Sequence, residues 1–203
     1  MNITILGTGN IGAGLGLAWA KEGHDITYGV RDVTSYKNRE LVEGSDNIKL
    51  ATVYDAITLS HIIVLAVPFD VVREVLSEGD FREKIIIDCT NALNGLPDGF
   101  PSAAEAIAHW ANCPRVVKAF NSTGSANLRD TDYDGQKIET LICGDDDEAK
   151  RTVKELAEEV GFAVIDAGKL SSAKYLEDFA KLWIHLAYHM GIGENFAFKM
   201  VSR

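Results

Sequence analysis

The chain has 203 residues, 46% of them hydrophobic and 25% charged, which suits one domain or one domain with a small appendage. A formal net charge of −10 excludes a binder of phosphate backbones, because nucleic-acid affinity comes mostly from clustered Lys and Arg. The start "MNITILGTG" has neither the basic end nor the apolar length of a signal peptide, and no stretch approaches the roughly 18 apolar residues of a membrane span, so a cytoplasmic protein without membrane contact is expected.

Short β-branched runs alternate with helical patterns along the chain. Strands are expected at 2–6, 25–30, 48–51, 61–67, 84–90, 115–120, 139–144 and 162–167, and helices at 10–22, 53–59, 69–77, 102–112 and 147–160. Continuous apolar strands of this kind are covered on both faces, so repeated βα units predict an α/β fold with a doubly wound, mostly parallel sheet. The stretch "GLPDGFPS" (95–102) reads as a loop. Residues 171–190 place Tyr175, Leu176, Phe179, Leu182, Trp183 and Leu186 at helical spacing, which predicts a broad apolar face that docks on another surface. The expected division is a nucleotide-binding domain at 1–168 and a short C-terminal helical appendage at 169–203 that completes a cleft and a homodimer. Cys89, Cys113 and Cys143 show no CxxC pairing and read as reduced thiols without assigned chemistry.

Gly7-x-Gly9-x-x-Gly12 follows the first strand and opens a helix, the context in which this pattern signals a dinucleotide. Gly7 serves the tight turn, Gly9 the approach of a pyrophosphate and Gly12 the packing of helix on sheet, while the helix amides face the phosphates. Gly14 and Gly16 are expected to permit close helix packing. An NAD site wants an acid at the end of the second strand to hold the ribose 2′-hydroxyl. Here that end reads Gly29-Val30-Arg31, with Asp32 just beyond, so Arg31 predicts NADP through the guanidinium's bidentate fit to a 2′-phosphate. Thr8 and Lys37 are candidate additional contacts, with Lys37 also readable as a plain surface lysine.

The blocks "GTGNIG", "GHDITYGVR", "VLAVPFDVVREVL", "IIIDCTNAL", "VVKAFNSTGSANL", "ICGDDDEAK" and "LEDFAKLWIHLAYHMGIGENFAFKM" stand in an order that resembles the NADP oxidoreductases dependent on coenzyme F-420, a deazaflavin. That family includes bacterial relatives and the cytoplasmic domains of membrane metalloreductases. The resemblance covers nearly the whole chain. It implies that Thr8, Gly9, Asn10 and Ile11 contact the pyrophosphate, Arg31 the 2′-phosphate, and Val67 and Pro68 the nicotinamide. Asn91 would approach the nicotinamide ribose or carboxamide, or serve as a turn residue. Where deazaflavin enzymes carry a His and a Pro in the second cofactor's pocket, this chain has Phe120, Asn121, Ser122, Thr123 and Gly124. Asn121, Ser122, Thr123 and Gly124 are therefore the candidate acceptor-binding residues, with a simple turn as the alternative. The small side chains of Ser122 and Gly124 predict a roomy cleft floor, open to a deazaflavin, a flavin, a quinone or a similar acceptor.

Hydride passes directly between stacked rings, so proximity and orientation carry the chemistry and no catalytic side chain is assigned. His185 and His189, spaced i,i+4, read as packing on a helix and not as metal ligands. "GDDDE" (144–148) precedes a helix, and Asp145 with Glu148 has capping-box spacing. The reading is an NADP-dependent oxidoreductase with a planar redox acceptor. The alternatives are a reductase of small imines or carbonyls, and a dinucleotide-binding sensor without turnover.

Overall fold

The computed structural model describes residues 1–35, 39–128, 130–201 and 203. Lys37 lies outside the described residues. The strands are β1 (Asn2–Leu6), β2 (Asp25–Val30), β3 (Ile48–Thr52), β4 (Ile62–Leu65), β5 (Ile85–Asp88), β6 (Val116–Lys118), β7 (Asp132–Tyr133), β8 (Gln136–Lys137), β9 (Glu139–Gly144) and β10 (Ala163–Asp166). The helices are α1 (Asn10–Lys21), α2 (Val53–Leu59), α3 (Val72–Ser77), α4 (Ala103–Trp110), α5 (Asp147–Glu159) and α6 (Ala173–Ile184).

An eight-stranded sheet runs β10-β9-β6-β5-β4-β1-β2-β3. Six of its strands take the order 3-2-1-4-5-6 of a Rossmann fold, all parallel. Strand β9 then pairs antiparallel to β6, and β10 pairs parallel to β9. All eight expected strands belong to this sheet. The runs expected at 61–67, 84–90 and 115–120 are shorter than their apolar patterns, because the chain leaves the sheet at its carboxyl edge and the remaining residues form the loops there. The small hairpin β7–β8 was not expected. Its signal is Asp134-Gly135, both at positive φ, the pairing favoured by a two-residue turn.

Alternation along each strand sends side chains to two cores. Ile3, Ile5, Val64, Ile87 and Val117 meet Leu15 and Trp19 of α1 and Val153 and Leu156 of α5. Leu6, Ile63, Leu65, Ile86 and Val116 meet α2, α3, α4 and the start of α6 on the other face. Burying a Leu or Ile side chain contributes about 1.5–3 kcal/mol, so these two layers hold the sheet covered on both sides. Gly16 lets α1 close onto β2, since a Cβ there would stand 2.2 Å from the Tyr28 hydroxyl. Asp146, not Asp145, caps α5 by accepting from the Ala149 amide at 2.7 Å, while Asp145 accepts from the Leu170 amide at 3.2 Å. The helix starts at Asp147, where its pattern placed it, and only the capping residue lies one position later than the capping-box spacing implied.

The C-terminal region also departs from expectation. Residues 170–172 form a 3-10 turn, α6 follows, and His185–His189 close it as a π-helix. The buried face of this region is Ala173, Leu176, Glu177, Ala180, Trp183 and Ala187. Tyr175 and Leu182 point outward, 64% and 46% exposed. Small residues and a paired acid, not the largest apolar side chains, let α6 lie close on α4. The chain then turns back, stacking Phe196 on Trp183 with centroids 5.1 Å apart and setting Phe198 against Phe179 at 4.7 Å.

Candidate functional site

The parallel register brings the ends of β1, β2, β4, β5 and β6 to one edge: Leu6 stands beside Gly29 and Leu65, Leu65 beside Asp88, and Asp88 beside Lys118. Ligands of open α/β sheets bind at such an edge. Gly7 adopts φ +114, and a Cβ on it would stand 2.4 Å from the Ala66 carbonyl oxygen and 3.0 Å from Val67 Cγ1. A Cβ on Gly12 would stand 2.1 Å from the Gly7 carbonyl oxygen. Packing within the protein therefore demands both glycines. Gly9 differs: its φ is an ordinary −72, and a Cβ there would meet nothing within 4 Å. No atom of the described residues requires that glycine, so the space above it fits a phosphate laid against the backbone.

The helix that follows fits the same group. Gly9 is the N-cap of α1 and offers no side chain to the first-turn amides, and no acid stands in that turn. By contrast α2, α4 and α5 are capped by Thr52, Ser102 and Asp146. Uncapped amides and the positive end of the helix favour an anion. Asn10 and Arg31 are exposed, Thr8 and Ile11 half-buried, so the loop and the cation past β2 face outward together. Asp32, beside Arg31, is turned into its own loop, accepting from the Thr34 amide at 2.8 Å and hydroxyl at 2.6 Å, bonds that hold its carboxyl below the usual carboxylate range. Beyond β4, Val67 is half-buried against Gly7 and Pro68 is exposed.

The ends of β5 and β6 are tied to each other. Asn91 Nδ2 donates to the Asn121 carbonyl at 3.4 Å, and Asn121 Nδ2 donates to Asn91 Oδ1 at 3.0 Å and to the Leu176 carbonyl at 3.1 Å. Phe120 reaches this junction at φ +58, an uncommon conformation for a bulky residue, with its ring buried between Trp19 and Phe162. The ring therefore belongs to the core, while the left-handed backbone turns Asn121 toward Asn91. Asn121 Oδ1 and Ser122 Oγ are buried with no hydrogen-bond partner among the described residues. Thr123 Oγ1 accepts from Asn127 Nδ2 at 2.6 Å. Gly124 is not an open floor, because a Cβ there would stand 2.4 Å from the Trp183 ring. The indole fills the room that its small size implied.

Behind Asn91 lies a group of charges that sequence reasoning missed. Lys118 Nζ sits 2.9 Å from Asp88 Oδ2 and 3.2 Å from Glu177 Oε1, and donates also to the Thr90 carbonyl. Lys118 and Asp88 are fully buried. Burial alone lowers the lysine's pKa, but the pull of Asp88 and Glu177 outweighs it and the net direction is upward, so the ammonium stays charged. The available signal was a lone Lys and a lone Asp inside otherwise apolar strands, residue types almost never fully buried unless paired.

A concavity of about 490 Å³ elsewhere, between α5 and β10, is lined by Lys150, Arg151 and Lys154. It lies at the far edge of the sheet from the glycine loop, and Lys150 is already bound to Asp166 at 2.9 Å and Asp147 at 3.4 Å. Among the described residues no group of three or more His, Cys, Asp or Glu could hold a metal ion, and His185 and His189 stack on each other with centroids 5.5 Å apart. No helix among the described residues is long and apolar enough to cross a membrane.

Residues 2–92 match the family "NADP oxidoreductase coenzyme F420-dependent". The chain is 30% identical over 207 residues to the F420-dependent NADP reductase of Methanothermobacter thermautotrophicus, covering 92% of this chain and 89% of that protein. The chain belongs to that family. It is an NADP-dependent oxidoreductase built on a Rossmann sheet. A crystal structure from Arthrobacter sp. FB24, assigned as an F420-dependent NADP reductase, superposes with a TM-score of 0.80 at 25% identity, over 98% of this chain and 99% of that one. Metalloreductase STEAP3 of Rattus norvegicus is 34% identical over 125 residues, 61% of this chain and 25% of that protein.

Proposed function

We propose that this chain passes a hydride between NADPH and a planar acceptor of the deazaflavin or flavin kind, held at the carboxyl edge of the sheet. The observation that carries the reading is the convergence there of an open glycine loop with the Asn91–Asn121 pair, whose neighbouring atoms Asn121 Oδ1 and Ser122 Oγ lack partners among the described residues. Thr8, Gly9, Asn10, Ile11 and the uncapped α1 amides grip the pyrophosphate between the turn glycines Gly7 and Gly12, Arg31 grips the 2′-phosphate, and Val67 and Pro68 border the nicotinamide. Lys37, six residues further along the sequence than Arg31, is the candidate for an additional phosphate contact. When bound, the nicotinamide supplies the hydride. Asn91 orients its ribose or carboxamide, and Asn121 with Ser122 meets a donor on the acceptor's polar edge, since Asn121 Nδ2 is already spent and leaves only an accepting oxygen. Thr123 and Gly124 shape that wall by holding Asn127 and Trp183. The names of the relatives support the deazaflavin among these acceptors.

Residues 1–168 would hold the nucleotide, and 169–203 would complete the cleft, a division supported by the bond from Asn121 to Leu176. The exposed Tyr175, Leu182, Met190 and Ile192 support a homodimer through this segment. Light scattering at micromolar concentration would return twice the chain mass; a monomer would remove the homodimer from this reading.

Stopped-flow NADPH oxidation with deazaflavin, FMN, FAD, a quinone and a ferric chelate offered in parallel tests the function. Turnover with a flavin-like ring is expected, and its absence with all five would overturn the reading. Asn121→Leu should leave NADPH affinity near wild type while lowering acceptor turnover; unchanged turnover in the folded variant would place the acceptor elsewhere.

A further inference from the structure

The two asparagines of the site belong to a ring, closed by hydrogen bonds, one ion pair and two peptide links, that crosses to the C-terminal helix. Asp88 Oδ1 accepts from the Thr90 amide at 2.8 Å and its hydroxyl at 2.7 Å, which fixes the turn out of β5 just before Asn91. Lys118 donates to Asp88 and to the Thr90 carbonyl and pairs with Glu177 at 3.2 Å. From Thr90 the chain passes to Asn91, Asn91 is bonded to Asn121, and Asn121 is bonded to the carbonyl of Leu176, the residue before Glu177. Two carboxylates face one ammonium in this buried group. The excess charge meets the start of α4, where Glu177 Oε2 accepts from the Ala103 amide at 3.0 Å and Oε1 from the Ala104 amide at 3.2 Å.

A buried ion group of this kind is often no more stable than apolar residues of the same volume, so stability alone does not account for it. We infer that Glu177 is a positioning residue: acting through Lys118, it sets the orientation of the Asn91–Asn121 pair, so the geometry of hydride transfer depends on the C-terminal helix. This inference rests on the placement of Asn91 and Asn121 at the reacting rings proposed above. The nucleotide's phosphates are gripped at β1 and β2, on the other side of β4 in the sheet order, so their binding does not depend on the ring.

The test compares Glu177→Gln with Ile107→Ala, a fully buried residue of α4 in the same core layer that makes no bond in the ring. With asparagine side chains selectively labelled with ¹⁵N, the wild type should show slowly exchanging amide groups from Asn91 and Asn121 beside those of Asn47 and Asn127, which are bonded outside the ring. Glu177→Gln should shift the Asn91 and Asn121 amides and speed their exchange, while Ile107→Ala lowers the unfolding temperature without moving them. Single-turnover hydride transfer at saturating NADPH should fall about 10- to 100-fold in Glu177→Gln, the scale of a misplacement near 1 Å, with NADPH affinity near wild type. Glu177→Asp, which keeps the charge on a shorter arm, should recover part of the rate, and it carries the same comparison if Glu177→Gln does not fold. Unmoved asparagine amides, or a rate loss that tracks the unfolding temperature equally in both variants, would overturn the positioning role. Amides that move in a protein whose wild type transfers hydride to none of the acceptors would uphold the ring and overturn the functional reading instead.

Discussion

Alanine at Gly9 and alanine at Gly12 ask different questions of the same loop. At Gly12 the added methyl would press on the Gly7 carbonyl at 2.1 Å, so Gly12→Ala should lose about 1–3 kcal/mol of stability, read as a fall in the urea midpoint. At Gly9 the methyl enters open space, so the fold should be untouched. It would lengthen the contacts between amides and phosphate, each charge-assisted bond being worth about 1.5–3 kcal/mol, and NADPH affinity should fall accordingly. A Gly9→Ala protein that binds NADPH as tightly as wild type would remove the pyrophosphate from this loop. Arg31 is exposed past β2, and Arg31→Ala should cost NADPH about 1.5–3 kcal/mol while leaving NADH unchanged. Titrating both nucleotides into both proteins checks this; equal wild-type affinities for the two would defeat it.

The C-terminal elements behave as one packed unit. Trp183 rests on Gly124, donates to the Phe196 carbonyl at 3.2 Å and stacks on the Phe196 ring, and Asn127 donates to the same carbonyl at 3.0 Å. Truncation after Gly191 removes that stack and should cost about 1–2 kcal/mol for the half-buried Phe196, with more for Phe198. A truncated protein with an unchanged unfolding temperature would show that these rings contribute nothing. Gly124→Ala would force the indole off its seat and should lower turnover together with stability, since Asn121 is bonded to the same helix at Leu176. Periodicity found α6 and named Leu176 and Trp183 on its buried face, but it also named Tyr175 and Leu182. A stripe read from apolarity selects large side chains, whereas close packing on α4 selected Ala173, Ala180 and a satisfied Glu177.

Across the whole molecule, several buried groups stay neutral in the fold and ionise once exposed. Burial pushes the Cys143 thiol from 9.0 up to about 12, and it raises Cys89 and the Tyr28 phenol as well. A group whose pKa is raised by folding contributes its full stability below its unfolded value and loses it as pH climbs toward the folded one. Stability should therefore be flat from neutral pH to the ordinary thiol range and fall steadily above about pH 9. Lys118, also raised, keeps its ion group intact through that window and releases it only above the usual lysine range. Urea midpoints measured from pH 7 to 11 check the profile, and a flat curve to pH 11 would contradict it. The strands, the glycine loop and Arg31 at the end of β2 were legible in the sequence because each depends on neighbours within a few residues: alternation, a turn's need for positive φ, the chemistry of a strand end. The antiparallel turn of β9 and the ring of Asp88, Lys118 and Glu177 were decided only in three dimensions. Strand direction follows from how a long connection returns to the sheet. A buried charge is tolerable only where distant segments bring it partners, and no local pattern records which segments those will be.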